Sequence, residues 1–377
     1  MKIESVKAVN VRIPLDQPYV FARGTMTAFD NVVVRIETGE GIVGYGESAP
    51  LFRSSTGDAS AMAKLIRGPV AECLVGADPF NVEALVACAL DAAGGNVDGV
   101  AGVDVALWDI MGKYLGQPIY RLIGGLCQDS IAVDYTIGAA DPAVMAEVAL
   151  KVHKQGFQGV VVKVTGDSVE KGIERVRQVR AALPVHCTVR ADCNGGFMQD
   201  EALEFLRGIK GLDVEFVEQP VPAQDVEGLR LCRQTGIPIS VDESLITLRD
   251  ALTLVSEEAC DVMNIKVPRV GGFLLAKRMA AIADAAGLPV VVGGRTALEI
   301  SRAASRHFAA STCGAQGRKH EGPGPASQAL SDDVVARRTT KEETGKAGGF
   351  VEVEQGPGLG IEVLWDKVES YAVTQQL

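Results

Sequence analysis

The chain has 377 residues, 47% hydrophobic and 23% charged, with a formal net charge of −11 and a pI near 5.0. That acidity argues against nucleic acid or an anionic membrane as partner, and no run reaches the roughly 18 apolar residues needed to span a bilayer. The length exceeds the size at which a single core stops growing, so one large barrel plus a smaller domain is expected.

Residues 1 to about 50 carry strand signals. MKIESVKAVNVRIPL alternates apolar and polar positions, without the uninterrupted apolar region of a signal peptide. NVVVRIETGEGIVGYGES follows, with a glycine-containing turn at Thr38-Gly39-Glu40-Gly41, which reads as an antiparallel meander or hairpin. From about Asp58 to Leu115 the apolar spacing changes to three and four, the helical period. Leu122-Ile123-Gly124-Gly125 punctuates, and an alternation of strands and helices begins at SIAVDYTIG. Helices are predicted in PAVMAEVALKVHKQG, DEALEFLRGIKG, GLRLCRQTG, LRDALTLVSEEA and FLLAKRMAAIADAAG, several closed by a C-terminal glycine. PVVVGG and a run near Ala315 to Glu321 are later strands, and GGFVEVEQGPGLGIEV returns to strand alternation in the tail. Eight cysteines without CxxC or Cys/His spacing suit reduced thiols and a cytoplasmic location. Cys193 adjoins Asp192 but points the other way along a strand, so no catalytic role is read for it.

Five charged residues each end an apolar run: Lys163 (GVVVK), Asp192 (VHCTVRAD), Glu218 (LDVEFVE), Asp242 (IPISVD) and Lys266 (DVMNIK). They lie 29, 26, 24 and 24 residues apart. Such an interval accommodates a strand, a loop and a crossover helix, the unit of a parallel βα barrel. All strand C-termini of a barrel meet at one face, so the five side chains converge there. Three acids on consecutive strands, flanked by Asn194, Gln219 and Glu243, are oxygen ligands for a hard divalent ion rather than three separate helix caps. Lysines at inward positions are costly to bury unless they work with those acids. A lysine beside a metal loses its proton more readily, as a general base must. Lys163 and Lys266, on the second and sixth strands, would flank a substrate from opposite sides. One would take an α-proton from one face and the other return it on the opposite face.

These motifs resemble the enolase superfamily, in particular its muconate-lactonizing subgroup within the mandelate racemase/muconate lactonizing enzyme family. The resemblance spans nearly the whole length. It is carried by Gly39 to Glu47 with its Gly44-Tyr45-Gly46-Glu47 end, Ala106-Leu107-Trp108-Asp109 with Gly112-Lys113, and Asp192-Cys193-Asn194. Glu218-Gln219-Pro220, Asp242-Glu243-Ser244, Asn264-Ile265-Lys266 with Gly271-Gly272, and Gly356-Pro357-Gly358-Leu359-Gly360 complete it. It implies a modified (β/α)7β TIM barrel with an α+β capping domain built from both termini. Residues 1–125 would form the N-terminal capping part, 126–345 the barrel, and 346–377 a segment returning to the cap. It also implies Mg²⁺, with Mn²⁺ as substitute, held by Asp192, Glu218 and Asp242 with Asn194 and Glu243 behind them, and a homo-oligomer (dimer or octamer). PVVVGGRTALEIS has no histidine at the seventh strand, so both bases match lysines, as in the muconate-lactonizing type. The usual Lys-x-Lys of the second strand is here Val161-Val162-Lys163, and the apolar Val161 would desolvate the remaining lysine.

The resemblance implies a small carboxylic acid as substrate. Loops from Phe21 to Asn31 and from Leu51 to Thr56 are expected to close over the barrel, bringing Arg23 and Arg53 as anion contacts. Arg295, Glu299 and Glu321 are further candidate contacts. Gly317-Arg318-Lys319-His320-Glu321-Gly322 stands where dipeptide epimerases carry an Asp-x-Asp pair, and its basic triplet suits a second carboxylate or acyl group. Cycloisomerisation of a muconate-like diacid and racemisation or epimerisation of an amino-acid derivative share this machinery. Dehydration of a hydroxy acid, a Schiff-base aldolase and a non-catalytic binding protein are the alternatives.

Overall fold

The computed structural model describes residues 1–21, 24–50, 58–164, 167–294, 296–313, 320–321 and 330–373. Strands β1 (Ile3–Phe21), β2 (Gly24–Thr38) and β3 (Val43–Ser48) form an antiparallel sheet in the order β1-β2-β3, with the β2–β3 turn at the Gly39–Gly41 motif. Helices α1 (Ala59–Leu65), α2 (Ala71–Leu74), α3 (Val82–Ala92) and α4 (Val97–Leu115) follow. Helix α4 starts where the Asn96 side chain accepts from Gly99 N–H and stops at Gly116, which adopts the left-handed conformation. Most of its residues are buried on every side, as expected of a helix enclosed between two layers.

Beyond the short helix α5 (Ile119–Leu122), the described residues form eight parallel strands that alternate with seven helices. The strands are β4 (Ser130–Ile137), β5 (Gly159–Lys163), β6 (Thr188–Asp192), β7 (Val217–Glu218), β8 (Ile239–Val241), β9 (Val262–Ile265), β10 (Val290–Val292) and β11 (His320–Glu321). The intervening helices are α6 (Pro142–Lys154), α7 (Val169–Ala182), α8 (Gln199–Gly208), α9 (Val226–Arg233), α10 (Leu248–Ser256), α11 (Phe273–Ala285) and α12 (Glu299–Ala310). Hydrogen bonding follows the order β10-β9-β8-β7-β6-β5-β4-β11. This is the expected (β/α)7β barrel, with β12 (Phe350–Glu352) added antiparallel to β4. Helices α7 and α12 are not marked by the sequence pattern above. Helix α7, VEKGIERVRQVRAA, is rich in charge, so its apolar stripe is narrow, whereas α12, EISRAASRHFAA, is buried on most sides and draws its apolar surface largely from alanines, which give a weak period.

The cap is docked onto the barrel by carboxylates that reach helix N-termini, where backbone N–H groups lack partners. Glu47, at the end of β3, accepts from Leu298 N–H (2.9 Å) and Ser301 N–H (3.0 Å) at the start of α12, and from Asn31 Nδ2 (2.6 Å). Asp104, on α4, accepts from Phe273 N–H and from Leu274 N–H (3.3 Å) at the start of α11. Asp109, also on α4, accepts from Tyr45 N–H (2.9 Å) and from Leu359 N–H (2.8 Å) in the tail. Close approach makes this possible. A Cβ on Gly46 would lie 1.8 Å from the Gly102 carbonyl of α4, and one on Gly272 would lie 2.3 Å from Asp104 Oδ1. The C-terminal segment meets the cap through Val373 N–H to Asn10 O (2.9 Å) and Arg12 N–H to Tyr371 O (3.0 Å).

Cys127 and Cys313 form a disulfide, with Cα atoms 5.2 Å apart, so reduced thiols throughout does not hold, and the thiol argument for a cytosolic setting goes with it. The sequence could not reveal the pair because 186 residues separate its members. Among the described residues no helix is long and apolar enough to cross a membrane.

Burial pushes the Asp104 carboxyl up from its ordinary 3.8 to about 7. The folded chain therefore keeps a proton that the unfolded chain releases, and stability falls as pH rises between those two values. Urea melts at about pH 5 and about pH 7.5 should show a smaller loss for Asp104→Asn than for wild type. Equal losses would mean that the carboxyl is ionised throughout.

Candidate active site

The barrel strands deliver their last residues to one rim. In β5 the valines 160–162 are buried and Lys163 follows at the end. In register across the ladder, Lys163 stands beside Asp192, and Asp192 beside Glu218. Strand β8 stops one residue before Asp242, and β9 one residue before Lys266. Lys163 and Lys266 follow strands four places apart in the ladder of eight, on opposite sides of the barrel.

The polar contacts join these residues into one cluster. Lys163 Nζ pairs with Asp192 Oδ2. Lys266 Nζ donates to Asp242 Oδ2 (2.9 Å) and lies 3.8 Å from Glu218 Oε1, so a single ammonium touches two of the acids. Arg269 Nη1 donates to the other Asp242 oxygen (3.0 Å), and Asn264 Nδ2 to Glu218 Oε1 (3.1 Å). Asn194 Nδ2 bridges Asp192 Oδ2 (3.2 Å) and Glu243 Oε1 (3.3 Å), while its own N–H donates to Asp192 Oδ1 (2.8 Å). The acids are sealed from solvent: Asp192 is 0% exposed, and Glu218 and Asp242 are each 2% exposed.

Backbone strain sits beside the acids. Asn194 (φ 46°) and Gln219 (φ 39°) occupy the left-handed region that L-residues avoid. Gln219 stays there because its side chain is fully engaged. Its Oε1 accepts from Asp242 N–H and Ser244 N–H (both 3.1 Å), and its Nε2 donates to Val221 O (2.9 Å) and Ser244 Oγ (2.8 Å). One side chain thus fixes the loop that presents Asp242. Gly293, just after β10, leaves room opposite: a Cβ there would lie 2.4 Å from Lys266 Cε and 2.3 Å from Asn264 Oδ1.

Charge explains the ionisation states. Burial alone would raise the Asp242 carboxyl, but Lys266 and Arg269 reverse this and hold it well below the usual carboxylate range. Glu243, buried and next to Asp242 and Asp192, is pushed up to about 7. Burial drives the Cys193 thiol well above its ordinary value, with the Asp192 charge adding to it, consistent with a packing role. Three buried carboxylates are a donor set for a hard divalent ion, and the buried Asn264 Oδ1 beside them has no hydrogen-bond partner among the described residues. The donor chemistry of these residues therefore suits such an ion.

Lys163, Lys266, Asp192, Glu218, Asp242, Asn194 and Glu243 are thus brought together. Glu299 takes another place: it is buried in the first turn of α12, 3.1 Å from Arg302 Nη1 and 2.6 Å from Arg306 Nη2. Arg23, Arg53 and Arg295 lie outside the described residues. Glu321 stands in β11 in register with Asp134. Sequence reasoning missed Arg269, although its spacing of three from Lys266 was a usable signal. It also gave no role to Asn264 or to the side chain of Gln219.

A family model described as "Enolase C-terminal domain-like" matches residues 143–367, and one described as "Mandelate racemase / muconate lactonizing enzyme, N-terminal domain" matches residues 3–124. The chain belongs to the mandelate racemase/muconate lactonizing enzyme family of the enolase superfamily. It is 29% identical to the N-succinyl-L-Arg/Lys racemase of Bacillus cereus over the full length of both chains, and the crystal structure of that racemase superposes with a TM-score of 0.92 over 99% of each chain. A dipeptide epimerase of Enterococcus faecalis, crystallised with Mg and the dipeptide L-Leu-L-Tyr, is 29% identical and superposes with a TM-score of 0.89 over 96% of this chain and all of its own. The chloromuconate cycloisomerase of Cupriavidus necator is 30% identical over 98% of this chain and 99% of its own. The family members it matches thus share this architecture while differing in substrate.

Arg269→Met should leave Asp242 compensated by Lys266 alone. Breaking a buried pair in this way costs about 3 kcal/mol or more. Thermal melts in the presence of chelator should therefore fall well below wild type, with partial recovery when Mg²⁺ is added. Superimposable melts would show that Arg269 does not balance the acids.

Proposed function

We propose that this chain is a Mg²⁺-dependent isomerase that removes and returns the α-proton of a small carboxylate, most closely a racemase or epimerase of an amino-acid derivative. Asp192, Glu218 and Asp242 would hold the ion, which Mn²⁺ could replace; bound there, it would neutralise the substrate carboxylate and the enediolate that develops from it.

The observation that carries the reading is the pair of lysines on opposite sides of the barrel, each ion-paired to a different acid of the trio. Two such amines are what a two-base exchange needs; cycloisomerases share the pair, and the choice of a racemase or epimerase is supported by the activity named for the Bacillus cereus relative. Before the ion is added, Lys163, Lys266 and Arg269 match the three acids in number. With a dication in place the rim has surplus positive charge, which attracts an anionic substrate and favours the neutral, basic form of one lysine. That lysine takes the α-proton on its side. The other, still an ammonium, delivers a proton to the opposite face. Gln219 and Gly293 keep Asp242 and Lys266 in position through the exchange.

For substrate, the basic run Arg318-Lys319-His320 suits an N-acyl group bearing a second carboxylate, in keeping with the activity named for the Bacillus cereus relative.

Incubation with candidate N-acyl amino acids in ²H₂O should replace the α-hydrogen with deuterium, starting from either enantiomer. Exchange should stop with chelator. Lys163→Met and Lys266→Met should each cut isomerisation by at least about 100-fold. In each variant, exchange from one enantiomer should outlast exchange from the other. Exchange that ignores chelator or survives loss of both lysines would sink the proposal; dehydration products in place of exchange would mark the hydroxy-acid alternative.

A further inference from the structure

At the opposite end of the barrel, three side chains with nitrogen and sulfur donors converge away from the catalytic rim. His153 lies in the last turn of α6, and His186 and Cys187 lie in the turn that leads into β6. Arg180 holds that turn, with Nη1 donating to Cys187 O (2.6 Å) and Nη2 to Leu183 O (3.1 Å), while Cys187 N–H closes it onto Pro184 O (3.0 Å). Cys187 Sγ lies 3.4 Å from His153 Nδ1, the two imidazole rings are 6.0 Å apart, and one ligand atom from each residue falls within 4.8 Å of the others. Cys187 is buried, His153 half-buried and His186 exposed. Strand β6 separates this cluster from Asp192 by five residues, about 16 Å.

The geometry points to a second metal site, for Zn²⁺ or a similar borderline-soft transition ion, with His153, His186 and Cys187 as ligands. Zn–S and Zn–N bonds of about 2.3 and 2.0 Å at the tetrahedral angle place sulfur and nitrogen about 3.5 Å apart, close to the separation already present. Thiolate and imidazole select against Mg²⁺, so the site would not compete for the ion at the rim. The exposed His186 gives the ion a way in and leaves the fourth position to water. Binding transfers the Cys187 thiol proton to solvent and requires the His153 proton on Nε2. It also gives up the 3.3 Å contact between Nδ1 and Phe157 O, which limits affinity. Filled, the site would join the end of α6 to the start of β6.

The test uses Co²⁺ as a spectroscopic probe on the intact chain. One equivalent should produce a thiolate-to-cobalt charge-transfer band in the near ultraviolet, titrated away by Zn²⁺ and unaffected by Mg²⁺. Cys187→Ser should abolish the band, and Asp192→Asn at the rim should leave it. His186→Ala changes only an exposed turn residue, so it keeps the fold, and it should weaken Co²⁺ binding at least about tenfold. No band, a band that survives Cys187→Ser, or unchanged affinity in His186→Ala would overturn the proposal. Each of these outcomes is independent of whether the rim catalyses proton exchange.

Discussion

The structure depends on carboxylates of the cap filling helix N-termini of the barrel. In a βα barrel, each helix begins at the end where its preceding strand finishes, so helix N-termini and strand C-termini share one rim. A cap that hooks onto N-termini can therefore sit only over the site. Glu47 and Asp104 are such hooks, one on α12 and one on α11. Both are stripped of water, which disfavours their charge, and the backbone N–H groups they accept from offset part of that cost. The reach is short: Gly46 and Gly272 have no room for even a methyl group, so a side chain at Gly272 would push Asp104 off the helix end, and one at Gly46 would push β3 away from α4.

The glycine and acid motifs that look catalytic in the sequence thus divide into two kinds. Gly44 to Glu47, Trp108-Asp109 and Gly356 to Gly360 hold the two parts of the protein together, with Asp109 bonded to both β3 and the tail. Asp192 to Asn194, Glu218-Gln219, Asp242 to Ser244 and Asn264 to Lys266 build the rim. Within that second group, strain and rigidity go together. Two non-glycine residues in the left-handed region lie next to the acids and are held by side-chain hydrogen bonds rather than by regular structure. The acids are therefore placed by the loops as much as by the strands.

The barrel was legible in the sequence because its signal is repeated: apolar runs of five or so residues, each ending in a charge at nearly constant spacing. The rim residues were legible for the same reason. What stayed hidden depends on contacts across the fold. Arg269 is one more surface-like arginine until Asp242 is seen against it. Glu299 looks like a neighbour of the seventh strand, yet turns into an ion pair with Arg302 and Arg306. His153 lies 33 residues before His186 and has no metal-like spacing to it; only the pairing of β5 with β6 brings them together. Helix α7 escaped because its charged faces dilute the apolar period.

The cystine between Cys127 and Cys313 gives the chain an unusual topology. Cys127 precedes the first barrel strand and Cys313 follows the barrel helix α12, so the bond closes nearly the entire barrel into a covalent ring. A ring of that size removes about 5 kcal/mol of chain entropy from the unfolded state in the simple loop-closure view. It also means that a protease cutting once between those residues severs nothing: both ends of the nick remain tethered, and the two pieces separate only after reduction.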